Sequence, residues 1–225
     1  RAGMAEEMAA REQRMHLFPR RHGLFLGNRF VQIQDQVGDR HPGGEFGGVE
    51  RHVAWGVADG EQGLRHEVRR QRKYGAEVIK VCATGGVFSR NTEPGQQQLS
   101  ENELRAIADE AHQWGLRVAA HAHGATGIKA AIRAGIDTIE HASLVDEEGI
   151  KLAAARKQPV WFSMDIYNTD YTQAEGAKNG VLEDNLRKDR EVAQIQRDNF
   201  RKAHKAGVRM VFASDAGVMP HGQVG

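Results

Sequence analysis

Lys80, His121, His141 and Asp215 are an ammonium, two imidazoles and a carboxylate, and each stands at or just past the end of a short apolar run. The runs are Gly75 to Lys80 (GAEVIK), Gly115 to His121 (GLRVAAH), Gly135 to His141 (GIDTIEH) and Gly207 to Asp215 (GVRMVFASD). Imidazole and carboxylate are ligands for divalent metals. Lys80 is flanked by Val78, Ile79, Val81 and Cys82, so its strand is apolar on both faces and its ammonium is expected to be buried. Desolvation lowers a lysine pKa, and the neutral amine can take up carbon dioxide to become a carbamate, an anion able to bridge two cations. Taken alone, Lys80 is equally well explained as a lysine that snorkels from a strand end or pairs with a carboxylate.

His121 and His123, in VAAHAHGATG, share one parity and point the same way if the strand runs through both. Two neighbouring histidines more commonly make ordinary hydrogen bonds, and Asp215 in FASDAG equally suits a helix cap eased by Gly217. What shifts the reading is the combination, because four separate strand ends each offer a Lys, His, His or Asp. A site distributed in that way is how a parallel β/α barrel assembles a catalytic centre.

The elements that position these residues follow from the spacing. EQGLRHEVRRQRKYG reads as a helix with Leu64, Val68 and the aliphatic stem of Arg72 inward, stopped at Gly75, and AEVIKVCA follows as a strand. After the Gly-rich loop TGGVFSRNTEPGQQQ, Ser100 and Glu103 fit a capping box. Leu104, Ile107, Ala108 and Ala111 then make an apolar stripe, and Gly115 ends that helix. LRVAA delivers His121, TGIKAAIRAG leads to IDTIE and His141, and DEEGIKLAAARKQ leads past Pro159 to the strand VWFSMDI. The connection YNTDYTQAEGAKNG precedes a charged helical stretch, VLEDNLRKDREVAQIQRDNFRKAHKAG, and the strand VRMVFA ends the series. Five βα steps joined by short crossovers require a parallel sheet, so the fold class is α/β.

The 225 residues are enough for one sizeable core, and 40% hydrophobic with 27% charged residues is an ordinary globular composition. A net charge of +1 removes the electrostatic case for nucleic acid or a membrane surface as partner. No apolar run approaches the roughly 18 residues of a transmembrane helix, and no signal peptide is legible, which leaves the cytoplasm as the default location. The single Cys82 excludes an intramolecular disulfide. The first 50 residues differ from the rest, with seven Arg, eight Gly and no Lys, Trp or Tyr. Phe25, Phe30 and Val31 suit one short strand there, but no pattern is sustained enough to bury a face. Residues 1–50 are therefore unassigned, and residues 51–225 carry the barrel pattern. His16, His22, His41, His52, His66, His112 and His204 lack strand-end placement and read as surface or arm residues.

From about residue 55 to the C-terminus the chain resembles the amidohydrolase superfamily, and within it the branch of imidazolonepropionases and Xaa-Pro or Xaa-Arg dipeptidases. The resemblance rests on KYGAEVIKVCATGGVFS, VAAHAHGATGIKAAIRAGIDTIEHASLVD, SMDIYNTDYTQAEGAKNG and VFASDAGVMPHG. It implies a TIM-type (β/α)8 barrel of which strands four to eight are legible. Lys80 is then similar to a carboxylated lysine bridging two divalent metals, zinc above all. His121 and His141 are similar to the ligands ending the fifth and sixth strands, and Asp215 to the aspartate that ends the eighth, binds one metal and shuttles the proton. His123 and Tyr167 match positions nearer the substrate, Tyr167 being equally well explained by loop packing. The implied reaction is cleavage of an amide or peptide C–N bond in a small, dipeptide-like substrate by a metal-activated hydroxide. A homo-oligomer is compatible with all of this.

The sequence also departs from the family. It has no His-x-His pair before residue 121, where the family places two ligands on the first strand, and GDRHPGGEFGG is no substitute for the usual Gly-Gly-His-Gly-Asp loop. It stops at HGQVG, without a closing helix or β-sandwich segment. These departures predict a fragment, and from the change in Lys usage and pattern near residues 50 to 73 the first 50 residues are ascribed to a reading-frame slip or an assembly error. An in-frame His-x-His in another translation of the encoding DNA supports that origin; an independent clone with only this frame overturns it. The rival readings are a catalytically inactive remnant that binds a partner or nothing, and a barrel hydrolase for lactones or phosphate esters.

Overall fold

Apolar runs too short for helices and bracketed by glycines become strands, and the longer periodic stretches become the helices that cover them. In the computed structural model, residues 30–33 and 57–215 are described. The strands are β1 (Phe30–Ile33), β2 (Val78–Cys82), β3 (Arg117–Gly124), β4 (Thr138–Leu144), β5 (Trp161–Met164) and β6 (Arg209–Phe212). They form one sheet in sequential order, with every neighbouring pair parallel. Helices α1 (Gly60–Lys73), α2 (Glu101–Gln113), α3 (Ala125–Ala134) and α4 (Glu147–Ala155) precede β2, β3, β4 and β5 in turn. Both α5 (Asn168–Glu175) and α6 (Glu183–Lys205) lie between β5 and β6. Sequential parallel strands alternating with helices are the α/β architecture of a partial TIM-type barrel. No described helix is long and apolar enough to cross a membrane.

The two faces of the sheet have different contents. Ile79, Val81, Val118, Ala120, Ile139 and Phe162 are wholly buried, in one core with Leu64 and Val68 of α1, Leu104, Ile107 and Ala111 of α2, and Ile128 of α3. Each such side chain contributes about 1.5–3 kcal/mol of burial free energy. The alternate residues face the barrel interior, where the register sets Lys80 beside Ala119, Cys82 beside His121, His121 beside Glu140 and Glu140 beside Ser163.

Local signals explain the element ends. The Ser100 side chain accepts the Glu103 N–H at 3.3 Å and Glu103 Oε2 accepts the Ser100 N–H at 2.9 Å, so the capping box forms as expected. Gly135 follows α3 at φ 97°, a left-handed conformation that turns the chain directly into β4. At the amino end of the sheet, Asp137 accepts bonds from the Val118 N–H at 2.8 Å and Arg117 Nη1 at 2.7 Å, and His112 Nε2 lies 2.9 Å away. Burial raises the Asp137 carboxyl, but these partners outweigh it and hold it below the usual carboxylate range.

Four details differ from the sequence reading. Gln71 is inward on α1 together with Leu64, Glu67 and Val68, whereas Arg72 is exposed. Residues 168–175, read as part of a connection, form α5, whose buried positions are the polar Asn168, Thr169 and Thr172. Strands β3 and β4 continue past the expected ends, through His123 and through His141. Finally, β1 pairs with β2 through Phe30↔Val78 to Ile33↔Val81, so the segment left unassigned supplies one strand before that of Lys80. Phe25, the remainder of residues 1–50 and the terminal HGQVG lie outside the described residues.

Candidate metal centre

Because β3 continues through both of its histidines, His121 and His123 project from the same face at the carboxyl end of the sheet. Strand β4 delivers His141 beside them, aided by a register shift between Ala122 and Gly124. The ring centroids lie 4.7 Å apart for His121 and His123, 4.7 Å for His121 and His141, and 4.5 Å for His123 and His141, the last pair stacked at 17°. One ring nitrogen from each comes within 4.8 Å of the others.

Hydrogen bonding sorts the ring nitrogens. His121 Nε2 lies 3.2 Å from the Gly85 carbonyl, which can only accept, so Nε2 carries the hydrogen of that bond and Nδ1 is the nitrogen turned from it. His141 Nδ1 lies 3.0 Å from Asp165 Oδ1 and donates its hydrogen there, which leaves Nε2 as the nitrogen turned from the carboxylate. His123 Nδ1 meets the Ser143 hydroxyl at 2.8 Å, a partner that can donate or accept. The His123 N–H donates to Thr84 Oγ1 at 2.9 Å, tying the end of β3 to the loop after β2. That loop runs close over the imidazoles: a Cβ added to Gly86 would lie 3.1 Å from His121 Nε2.

Asp165 and Gln196 escaped the sequence reading. Asp165 is buried just beyond β5, and beside the His141 bond it accepts Gln196 Nε2 at 2.9 Å and Asn168 Nδ2 at 2.6 Å. Burial would raise its carboxyl, yet the charge and hydrogen bond of His141, with His123 behind it, hold it well below the usual carboxylate range. Gln196 Nε2 also donates to the His141 carbonyl at 3.2 Å, and Asn199, one turn along α6, donates to the Ser143 carbonyl at 2.9 Å. The backbone they grip is irregular, with His141 at φ 71° and Ala142 at φ 49°. Left-handed residues other than glycine persist only where the surroundings over-determine them, and they concentrate at functional sites.

The other expected site residues fall as follows. Lys80 is 4% exposed on β2, on the interior face and one pleat before the level of His121. Tyr167 is 42% exposed at the start of α5, lining a cavity with Arg197, Phe200 and Phe212 rather than the histidine cluster. Asp215 comes three residues after β6 in the sequence, at φ 48°.

The donor set fits a divalent metal. His121 and His141 each turn one ring N–H to a protein oxygen, the arrangement in which a metal-binding imidazole is held by a carbonyl or carboxylate behind it.

A parallel sheet whose carboxyl edge gathers three imidazoles backed by fixed acceptors is an arrangement able to hold a divalent metal. The profile of the amidohydrolase family matches residues 23–224, and the chain belongs to that family. It is 36% identical over 159 residues to the ochratoxinase of Aspergillus niger, an alignment covering 71% of this chain and 32% of that protein. The chain thus spans about a third of the length of the curated relatives it matches. Among solved structures, it is similar to a Xaa-Pro dipeptidase with methionine bound in the active site (34% identity, TM-score 0.68, 75% of this chain and 41% of that one). It is likewise similar to a prolidase complexed with N-methylphosphonate-L-proline (33% identity, TM-score 0.71, 82% and 46%).

Proposed function

We propose that the whole protein is a metal-dependent hydrolase that cleaves an amide or peptide C–N bond in a small, dipeptide-like substrate. The observation that carries this reading is the pair of oppositely held imidazoles, His121 bonded through Nε2 to the Gly85 carbonyl and His141 through Nδ1 to Asp165. The likeness to ochratoxinase, to a Xaa-Pro dipeptidase and to a prolidase supports a C–N bond as the target.

In this reading two divalent ions, zinc foremost, are held by His121, His141, Asp215 and a carboxylated Lys80. When bound, such ions supply Lewis acidity toward a carbonyl oxygen and make water acidic near neutral pH. A lysine amine in its neutral form is the species that takes up carbon dioxide, and Lys80 would have to reach that form to be carboxylated. Asp215 accepts the proton released by the attacking water and hands it to the departing nitrogen. His123 lies on the substrate side of the cluster, and Tyr167 contacts the substrate from the rim.

The test is metal content of the purified protein by elemental analysis, coupled to turnover of a panel of dipeptides, N-acyl amino acids and lactones. About two tightly held divalent ions with dipeptide or N-acyl hydrolysis supports the proposal; lactone hydrolysis alone overturns the C–N assignment. In Lys80→Ala we expect the metal content to fall below two and turnover to be lost, and an unchanged content of about two removes the bridging role.

A further inference from the structure

The carboxyl end of β4 is held by side chains that the reaction itself does not need. Gln196 Nε2 stands between two acceptors, the His141 carbonyl at 3.2 Å and Asp165 Oδ1 at 2.9 Å, so the atom facing Asp165 must be the amide NH2. Asn168 presents its own amide nitrogen to Asp165 Oδ2 at 2.6 Å. Both carboxylate oxygens therefore receive donors from groups that have nothing to accept with at those atoms, and Asp165 can act only as an acceptor. His141 Nδ1, 3.0 Å from Oδ1, is left with one role, that of a third donor. His141 is thus set by a carboxylate, whereas the Ser143 hydroxyl bonded to His123 accepts either tautomer.

We propose that Asp165, clamped by Gln196 and Asn168, is a positioning residue that fixes His141 as the Nδ1–H tautomer and so turns its Nε2 lone pair toward the candidate metal. This deepens the metal-hydrolase reading and rests on it only for the metal, because the Nδ1–H bond to Asp165 is made without one. The clamp reaches across the fold: Gln196 lies on α6, 55 residues from His141, and Asn199 on the same helix holds the Ser143 carbonyl. One helix face thereby sets both the ring of His141 and the left-handed backbone at His141 and Ala142. A second-shell carboxylate that orients a histidine ligand typically accounts for about a 10–100-fold difference in metal affinity.

The experiment is 15N NMR of the imidazole nitrogens in the metal-free whole protein, labelled at histidine, together with zinc affinity from competition with a chelator. In the wild type, His141 is expected to show a protonated Nδ1 and an unprotonated Nε2. In Asp165→Ala, the two tautomers of His141 should both be populated, and zinc affinity should fall by about 10–100-fold. Gln196→Leu keeps the acceptor but loosens it, and a smaller fall is expected. A wild-type His141 protonated at Nε2 overturns the proposal without any variant, which covers the case in which Asp165→Ala fails to fold. An unchanged tautomer in Asp165→Ala, or unchanged zinc affinity, also overturns it. If the wild type shows the expected tautomer but binds no zinc, the metal reading of the site fails while the positioning role of Asp165 stands.

Discussion

Two buried aspartates, each bonded to a histidine, hold opposite ends of the same sheet. Asp137 works at the amino end, where it gathers the Val118 N–H, Arg117 and His112. Asp165 works at the carboxyl end, where it gathers His141, Asn168 and Gln196. In both, burial is outweighed by donors and the carboxyl stays ionised. The chemistry is alike, but the neighbours differ. Asp137 ties two adjacent strands and the end of a helix, with Arg117 reaching into solvent, while Asp165 stands behind an imidazole clustered with two others. In β/α barrels the amino-terminal rim carries stability and the carboxyl-terminal rim carries chemistry. One residue type is used here for each.

Substitutions can break that contrast. The largest separation is expected for Asp165→Ala, where the tenfold or greater loss of zinc affinity should be accompanied by a loss of kcat that chelator-buffered zinc only partly restores. Asp137→Ala is its counterpart: removing the acceptor of a part-buried cluster should cost about 1–3 kcal/mol in urea unfolding while leaving kcat per folded molecule unchanged. A fall in kcat equal to that of Asp165→Ala would erase the distinction.

The pH dependence sharpens it further. Because the folded-state pKa of Asp137 lies below its unfolded value of about 3.9, its stabilisation is fully present above that pH and is lost as the pH falls through the lower, folded value. The unfolded chain binds the extra proton in that window, so stability should rise with pH there. Denaturant titrations between about pH 2.5 and 5 should show a shallower rise in Asp137→Asn than in the wild type. The smallest effect serves as a baseline: Ser100→Ala removes an exposed helix cap far from both aspartates and should cost about 1 kcal/mol, with no change in zinc affinity.

Much of the scaffold was legible before any coordinates. Glycine stops such as Gly135 and the Ser100–Glu103 box are local signals, satisfied within a few residues, and the alternation that buries Ile79, Val81 and Val118 is a property of each strand alone. His121, His123 and His141 were legible for the same reason, since each ends an apolar run. Helix α5 was not, because its buried positions are Asn168, Thr169 and Thr172 and give no apolar stripe to read. Asp165 lay in plain view at the end of VWFSMDI, and the spacing of the buried Asn185, Asp189, Val192, Gln196, Asn199 and Ala203 is helical. Their polarity was the missed signal. A helix whose inward face is this polar cannot be packed only on the apolar back of a sheet, and must reach other polar groups. Which groups it reaches is set by tertiary structure, as when Lys188 donates to the Ser89 carbonyl 99 residues away.

The grip of α6 on β4 also bears on how the protein emerges during synthesis. Strands β2 to β4 and helices α1 to α3 are complete once residue 144 has left the ribosome, and their contacts are short in sequence, so this portion can pack early. The donors that hold the His141 and Ser143 carbonyls arrive only with Gln196 and Asn199, some 55 residues later. A nascent chain stalled between those points would carry all three histidines without the side chains that bend the backbone beneath them. The scaffold can therefore fold in step with translation, whereas the site closes in one late event.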